Sequence, residues 1–143
     1  MMIKESGGQI SLEYMMIFTI SLIILIVFTL PLAEDLIKDT LDISDSLNVK
    51  SDLSEISNAI RQVYGEGQGS KQTIIIESKN RLKIDILDSH VSTSLKLKSN
   101  SKKDINEYVT SNIQKTSISI DKGKNTIIVE WPMNSKNMLI YTV

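Results

Sequence analysis

Met15-Met16-Ile17-Phe18-Thr19-Ile20-Ser21-Leu22-Ile23-Ile24-Leu25-Ile26-Val27-Phe28-Thr29-Leu30-Pro31-Leu32 is the stretch on which the fold turns. Nothing ionises from Met15 to Ala33, and Thr19, Ser21 and Thr29 are its only polar side chains. Their hydroxyls are able to bond back to helix carbonyls one turn earlier. About 20 apolar residues in a helix cross a bilayer core of roughly 30 Å. The β-branched residues do not make this a strand, because an open strand in lipid leaves backbone groups unpaired. A buried core helix would explain an apolar segment but not one this long. A secretory signal usually has only about 7–15 apolar residues before a small-x-small site, and Pro31-Leu32-Ala33 puts proline where a small residue is wanted.

Outward from this stretch, both flanks are polar. Met1 to Gly8 form a short leader whose only charged side chains are Lys4 and Glu5. Glu34 and Asp35 follow the apolar run directly. The positive-inside rule therefore places the leader in the cytoplasm and the C-terminal part outside. Pro31 removes a helical donor and clashes one turn back, which predicts a kink rather than a stop. Beyond it Leu32, Leu36, Ile43, Leu47, Leu53, Ile56, Ile60 and Val63 recur at mostly three- and four-residue steps, an amphipathic continuation over 34–64. The stripe is irregular around Thr40 to Ile43 and Asn48 to Asp52, and the pattern leaves open an interruption at either place. A continuous helix from Gln9 to Tyr64 would be about 80 Å long.

Gly65-Glu66-Gly67-Gln68-Gly69-Ser70 ends the helical pattern and reads as a flexible linker over 65–70. A phosphate-binding role does not fit, because these glycines follow a helix and no Walker lysine accompanies them. From residue 71 the hydrophobic period changes to two. Leu82, Ile84 and Ile86, then Leu95 and Leu97, then Ile118 and Ile120 alternate with polar residues and predict strands with one buried face. Thr73–Glu77, Thr126–Trp131 and Met138–Val143 are further strand candidates. Ser78-Lys79-Asn80 and Lys122-Gly123-Lys124-Asn125 are expected as hairpin loops. Pro132 ends one strand, Asn134 to Asn137 forms the last turn, and Asp104 to Asn112 is a short helix or a loop. The expected fold class is α+β, with a long N-terminal transmembrane helix followed by a small antiparallel β-sheet domain over 71–143 that covers the outer half of the helix. Neither element buries its apolar face alone.

Composition narrows the chemistry. The 143 residues carry a net charge of −1, which gives no reason to expect nucleic-acid binding. There is no cysteine, so disulfides, thiolate metal sites and cysteine nucleophiles are excluded. His90 is the only histidine, so one chain holds no multi-histidine metal site; it is expected as a solvated residue on a loop. The chain does not read as an enzyme, and no cofactor is expected. Trp131, Tyr108 and Tyr141 are expected in the core or at the edges of the sheet rather than as a binding patch. No N-x-S/T sequon occurs.

The polar-to-apolar boundary is the most informative part. Gly7-Gly8-Gln9-Ile10-Ser11-Leu12-Glu13-Tyr14-Met15 resembles the class III signal peptide of archaeal type IV pilins. That pattern is glutamine, any residue, serine, any residue, glutamate, then an aromatic residue, set directly before the apolar helix. Gln9, Ser11, Glu13 and Tyr14 match its fixed positions, and Gly8 matches the small residue before the cut. The resemblance covers only the leader, residues 1–8, and the first helix, residues 9–33. It implies a type IV pilin-like fold and cleavage between Gly8 and Gln9 by a membrane aspartyl prepilin peptidase that recognises Gly8, Gln9, Ser11, Glu13 and Tyr14. Glycines at the cut would allow an extended, accessible backbone.

The resemblance also implies polymerisation with other pilin subunits, driven by a cytoplasmic ATPase and a membrane platform. The helix would then hold the precursor in lipid and afterwards pack, through residues such as Met16, Ile17, Ile20, Ile24 and Val27, against its neighbours in an extracellular adhesive filament. Glu13, the fifth residue of such a mature chain, would pair with the new amino group of Gln9, in its own or a neighbouring subunit. Otherwise Glu13 sits at headgroup level and complements the positive helix N-terminus. A minor tip or initiating pilin and a permanently anchored single-span surface protein are the other readings of the same residues.

Overall fold

The structure, a computed structural model, describes residues 6–109 and 112–143, and of residues 6–10 only the backbone. The chain opens with one helix, α1 (Ser6–Glu66), which contains Pro31 and continues past it. Seven strands follow: β1 (Lys71–Ser78), β2 (Leu82–Ile86), β3 (His90–Lys96), β4 (Lys102–Tyr108), β5 (Thr116–Ile120), β6 (Gly123–Glu130) and β7 (Leu139–Thr142). The chain divides into two units, Met1–Thr40 and Leu41–Val143.

The helix runs without interruption through Thr40 to Ile43 and Asn48 to Asp52, the two places where the sequence left the question open. The reason lies in which residues make the buried stripe. In the second unit Asp42, Ser46, Val49, Leu53, Ile56, Ile60 and Val63 are buried, an unbroken alternation of four- and three-residue steps. The sequence pattern suggested Ile43 and Leu47 for this stripe, but these are 61% and 62% exposed. Two polar residues take the buried positions, so the break in hydrophobicity is not a break in the backbone.

The β region is two sheets rather than one. β1-β6-β7 form a three-stranded sheet and β4-β3-β2-β5 a four-stranded one, with every ladder antiparallel. Their inner faces and the helix stripe share one core. Leu53, Ile56 and Ile60 from α1 join Ile76, Ile84, Ile86, Val91, Ile120, Ile127, Val129 and Met138, all essentially inaccessible. This core belongs entirely to the second unit.

Ser78-Lys79-Asn80 and Lys122-Gly123-Lys124-Asn125 are not hairpin loops. The β1–β6 ladder ends at Ser78 opposite Gly123, and the β2–β5 ladder begins at Leu82 opposite Ile120. Between them three residues, Lys79 to Arg81, stand against two, Asp121 and Lys122. This extra residue lets both strands pass from one sheet to the other at a single bulged corner. The corner is tied by Arg81 Nε, which donates to Asp121 Oδ1 at 2.7 Å. The Asn125 side chain reinforces it: its Nδ2 donates to the carbonyls of Asp121 and Gly123, and its Oδ1 accepts the Asp121 N–H.

Two other segments differ from expectation. Lys102–Tyr108 is the edge strand β4, so Asp104 starts neither a helix nor a loop. Only Ile105 of it is buried, and an edge strand with one buried side chain leaves no period-two signal. His90 begins β3 opposite Tyr108 and is not a loop residue.

Backbone hydrogen bonds join the glycine-rich segment to the helix end and to Trp131. Gly67 N–H donates to the Val63 carbonyl at 3.0 Å and Gly69 N–H to Trp131 at 2.6 Å, while Trp131 N–H returns to Ser70 at 2.9 Å. Trp131 stacks on Tyr64 with ring centroids 5.7 Å apart. Gly69 has φ +92°, and a Cβ there would stand 3.0 Å from the Met133 Cε. Gly65→Ala should therefore raise stability by about 0.5–1 kcal/mol, because nothing crowds that helical position. Gly69→Ala should lower it by about 1–2 kcal/mol through left-handed strain. Thermal unfolding of the full chain in detergent checks both, and equal midpoints for the two variants would contradict this account of the joint.

Candidate functional site

In the first unit the described side chains from Ser11 to Leu32 are all exposed. They include Met16 at 58%, Ile17 at 60%, Ile20 at 53%, Ile24 at 52% and Val27 at 60%. These five positions fall within about a third of the helix circumference, at steps that keep returning to one side. The segment is long and apolar enough to cross a membrane, and none of that apolar window is buried inside the chain. Leaving a large aliphatic side chain in water forgoes about 1.5–3 kcal/mol. Summed over Met15 to Leu32, that exceeds the roughly 5–15 kcal/mol by which a whole domain is normally stable. Something outside the chain has to cover this surface.

The helix absorbs its own polar groups along the run. Thr19 Oγ1 donates to the Met15 carbonyl at 2.8 Å, as the sequence led one to expect. At the C-terminal end of the apolar run Lys38 lies 4.0 Å from Glu34 and 3.8 Å from Asp35, all well exposed, so these pairs contribute little to stability.

The predicted processing residues are in the first turns of α1. Gly8 and Gln9 are helical, so the backbone around the expected cut is not extended. A helix leaves its first N–H groups unpaired, and glycine weakens a helical turn, so opening this one takes little. Lys4 and Glu5 lie outside the described residues. Ser11, Glu13 and Tyr14 follow on the helix and are exposed, Tyr14 at 70%. The Gln9 side chain lies outside the described set, so the expected Glu13–Gln9 pairing is not among the contacts.

The second unit contains a polar device that hydrophobic periodicity did not reveal. The Asp42 carboxylate is 6% exposed and accepts the Lys98 N–H at 2.7 Å and the Ser99 N–H at 3.0 Å. These belong to the β3–β4 turn, where Leu97 N–H donates to Ser101 and Asn100 adopts φ +64°. At the other end of β4 the Tyr108 carbonyl accepts from Ser57 Oγ at 2.9 Å and Arg61 Nη2 at 2.6 Å. The helix thus grips the edge strand at both ends. Extending the three- and four-residue steps backward from Val49 would have pointed to Ser46 and Asp42.

Trp131, Tyr108 and Tyr141 do not gather into one patch. Trp131 packs on Tyr64, Tyr141 donates its hydroxyl to Glu130 at 3.0 Å on the three-stranded sheet, and Tyr108 stands 77% exposed on the edge of the other. Among the described residues no group of His, Cys, Asp or Glu could hold a metal ion. Comparison with protein-family models, with curated proteins and with solved structures gave no match to this chain.

Burial raises the Asp42 carboxyl, but the Lys98 and Ser99 N–H groups, the Ser99 hydroxyl and the Lys98 charge outweigh it and hold the pKa below the ordinary value. An acid depressed in the folded state adds stability above its unfolded pKa and loses it as pH falls through the folded one. Asp52 has the opposite sign, because burial and the nearby Glu55 raise it. Asp42→Asn should therefore unfold at lower temperature than wild type at neutral pH, with the difference shrinking below the usual carboxylate range near about pH 4. The thermal midpoint of the full chain in detergent, followed across pH, checks this, and a constant difference across pH would rule out the ionised clamp.

Proposed function

We propose that this chain is the structural subunit of an archaeal type IV pilus-like surface filament. Its leader is removed between Gly8 and Gln9, and the retained helix drives polymerisation for surface attachment. The observation that carries this is the junction of two features. Gln9, Ser11, Glu13 and Tyr14 stand at the boundary of an apolar helix, and that helix buries none of its apolar window within the chain.

Mechanistically, the precursor rests in the bilayer through residues 9–33. The peptidase meets the first helical turn on the cytoplasmic side, opens it at the two glycines and cuts. Cleavage leaves a new amino group at Gln9, one turn from the Glu13 carboxylate. An acid near the membrane interior is costly unless paired, and this amine is the partner that only cleavage supplies. Ile20, Ile24 and Val27 then exchange lipid for the same surface of neighbouring subunits. A head-to-tail contact that does not close gives a helical filament. A chain that stays singly in lipid would satisfy the apolar span equally, and processing separates the two.

Intact mass of the chain from membranes and from sheared fibres is the test. Loss of Met1 to Gly8 is expected in both, and a chain that keeps them in cells with active peptidase would sink the proposal. Glu13→Val should be inserted and cleaved as wild type yet yield about tenfold or more fewer fibres, in line with the roughly 3–5 kcal/mol cost of breaking a buried pair. Normal fibre yield from that variant would remove the charge pairing but leave the subunit assignment standing.

A further inference from the structure

Each residue of an antiparallel strand turns both its N–H and its C=O toward one neighbour, and successive residues alternate sides. On β6 the Thr126 carbonyl accepts the Val143 N–H at 3.0 Å, so Thr126, Ile128 and Glu130 face β7. Asn125, Ile127 and Val129 then face β1, where their partners are Ile76, Ile74 and Gln72. Lys71, Thr73, Ile75 and Glu77 therefore turn their backbone groups away from β6. On that side β1 is the edge of its sheet. None of these four N–H and four C=O groups has a hydrogen-bond partner among the described residues.

An open edge is a template for another strand, and proteins usually blunt it with prolines, bulges, inward charges or a cover. β4 has such devices. Lys103 and Glu107 share a face with the buried Ile105, and the Tyr108 carbonyl is taken by Ser57 and Arg61. The approach to β7 is covered by Gln114, whose N–H donates to the Met138 carbonyl at 3.0 Å. β1 has none of these. Its ladder runs from Lys71 to Ser78 without a bulge or a proline, and its charges stand only toward the two ends. Between them Ile75 is 63% exposed.

We infer that β1 pairs with β1 of a second copy, antiparallel, about a two-fold axis at Ile74. Lys71 then stands opposite Glu77 of the second copy, and Thr73 opposite its Ile75. All these residues carry free backbone groups, so this register satisfies every one of them on both strands. A shift by one residue sets free groups against groups already bonded to β6. A shift by two takes Lys71 away from Glu77. Within one chain Lys71 stands opposite Glu130 and Glu77 opposite Lys124, and neither pair is within ion-pair distance. Across the joined sheets each end row reads Lys124, Glu77, Lys71, Glu130, so every neighbour is of opposite sign, which is the favourable cross-strand arrangement. Asp45, Asp52 and Lys79 line one small cavity with Glu77, so that end of the edge is net acidic toward the incoming Lys71. The two copies use the same surface, so the contact closes at two. It ties one chain to one other and does not lengthen a filament, and it is open to an anchored chain as much as to a polymer subunit.

The natural chain has no cysteine, so introduced thiols meet only one another. In this pair Thr73 and Ile75 of opposite copies have Cα atoms about 5.5 Å apart, inside the range a disulfide spans. Like positions stand about 8–9 Å apart, outside it. Full-length Thr73→Cys and Ile75→Cys chains, mixed in detergent and oxidised, should give covalent dimer, and either chain alone several-fold less. Placing Glu77→Lys in both chains sets like charges opposite and should cut the yield several-fold. Adding Lys71→Glu to both should restore it. No dimer from the mixture, or as much from either chain alone, overturns the contact. A yield that Glu77→Lys leaves unmoved overturns the register, and the pairing as stated with it.

Discussion

An apolar helical surface that covers nothing of its own is the constraint on which the rest depends. The described side chains from Ser11 to Leu32 stand open, while the core begins at Val49 and is complete without them. The first unit therefore has no tertiary reason to be helical. In lipid, a helix is required because every backbone group must find its partner within the segment. Lipid or another apolar protein surface can supply what the chain withholds, and the proposed function uses lipid and then neighbouring copies.

The second unit solves a different problem: it must bind a helix to two small sheets without disulfides. It does so with an isoleucine- and valine-rich core and with polar ties at the points where apolar packing runs out. Asp42 holds the β3–β4 turn, Ser57 and Arg61 hold the end of β4, and Arg81 with Asp121 holds the corner between the sheets. A carboxylate that accepts two backbone N–H groups fixes a turn with a directionality that a methyl group cannot provide. The cost is sensitivity to acid at the helix end of the unit.

Much of this was legible in the residues. Periods of 3.6 and then 2 separated the helix from the strands, and Ile84, Ile86, Ile118 and Ile120 went inward as their alternation required. What was not legible has physical causes. Asp42 and Ser46 are buried because they face a turn and a groove, and hydrophobicity alone assigns their positions to Ile43 and Leu47. The residues after Ser78 and before Gly123 look like hairpin turns because bulged corners and hairpins use the same small and polar residues. β4 hides because an edge strand needs only Ile105. At the candidate site the pattern of Gln9, Ser11, Glu13 and Tyr14 was plain in the sequence. The helical state of Gly8 and Gln9 was not, since glycine is indifferent to the choice until its neighbours decide it.

We claim that the apolar surface around Ile24 exchanges lipid for other copies of itself. A spin label on Ile24→Cys tests it directly, since no other thiol is present in the chain. In membranes the label should be isolated and open to lipid-soluble oxygen. In fibres it should lose that access and show dipolar broadening from labels on adjacent subunits. A label that remains isolated and oxygen-accessible in every fraction, fibres included, would contradict the claim and leave this helix as an anchor alone.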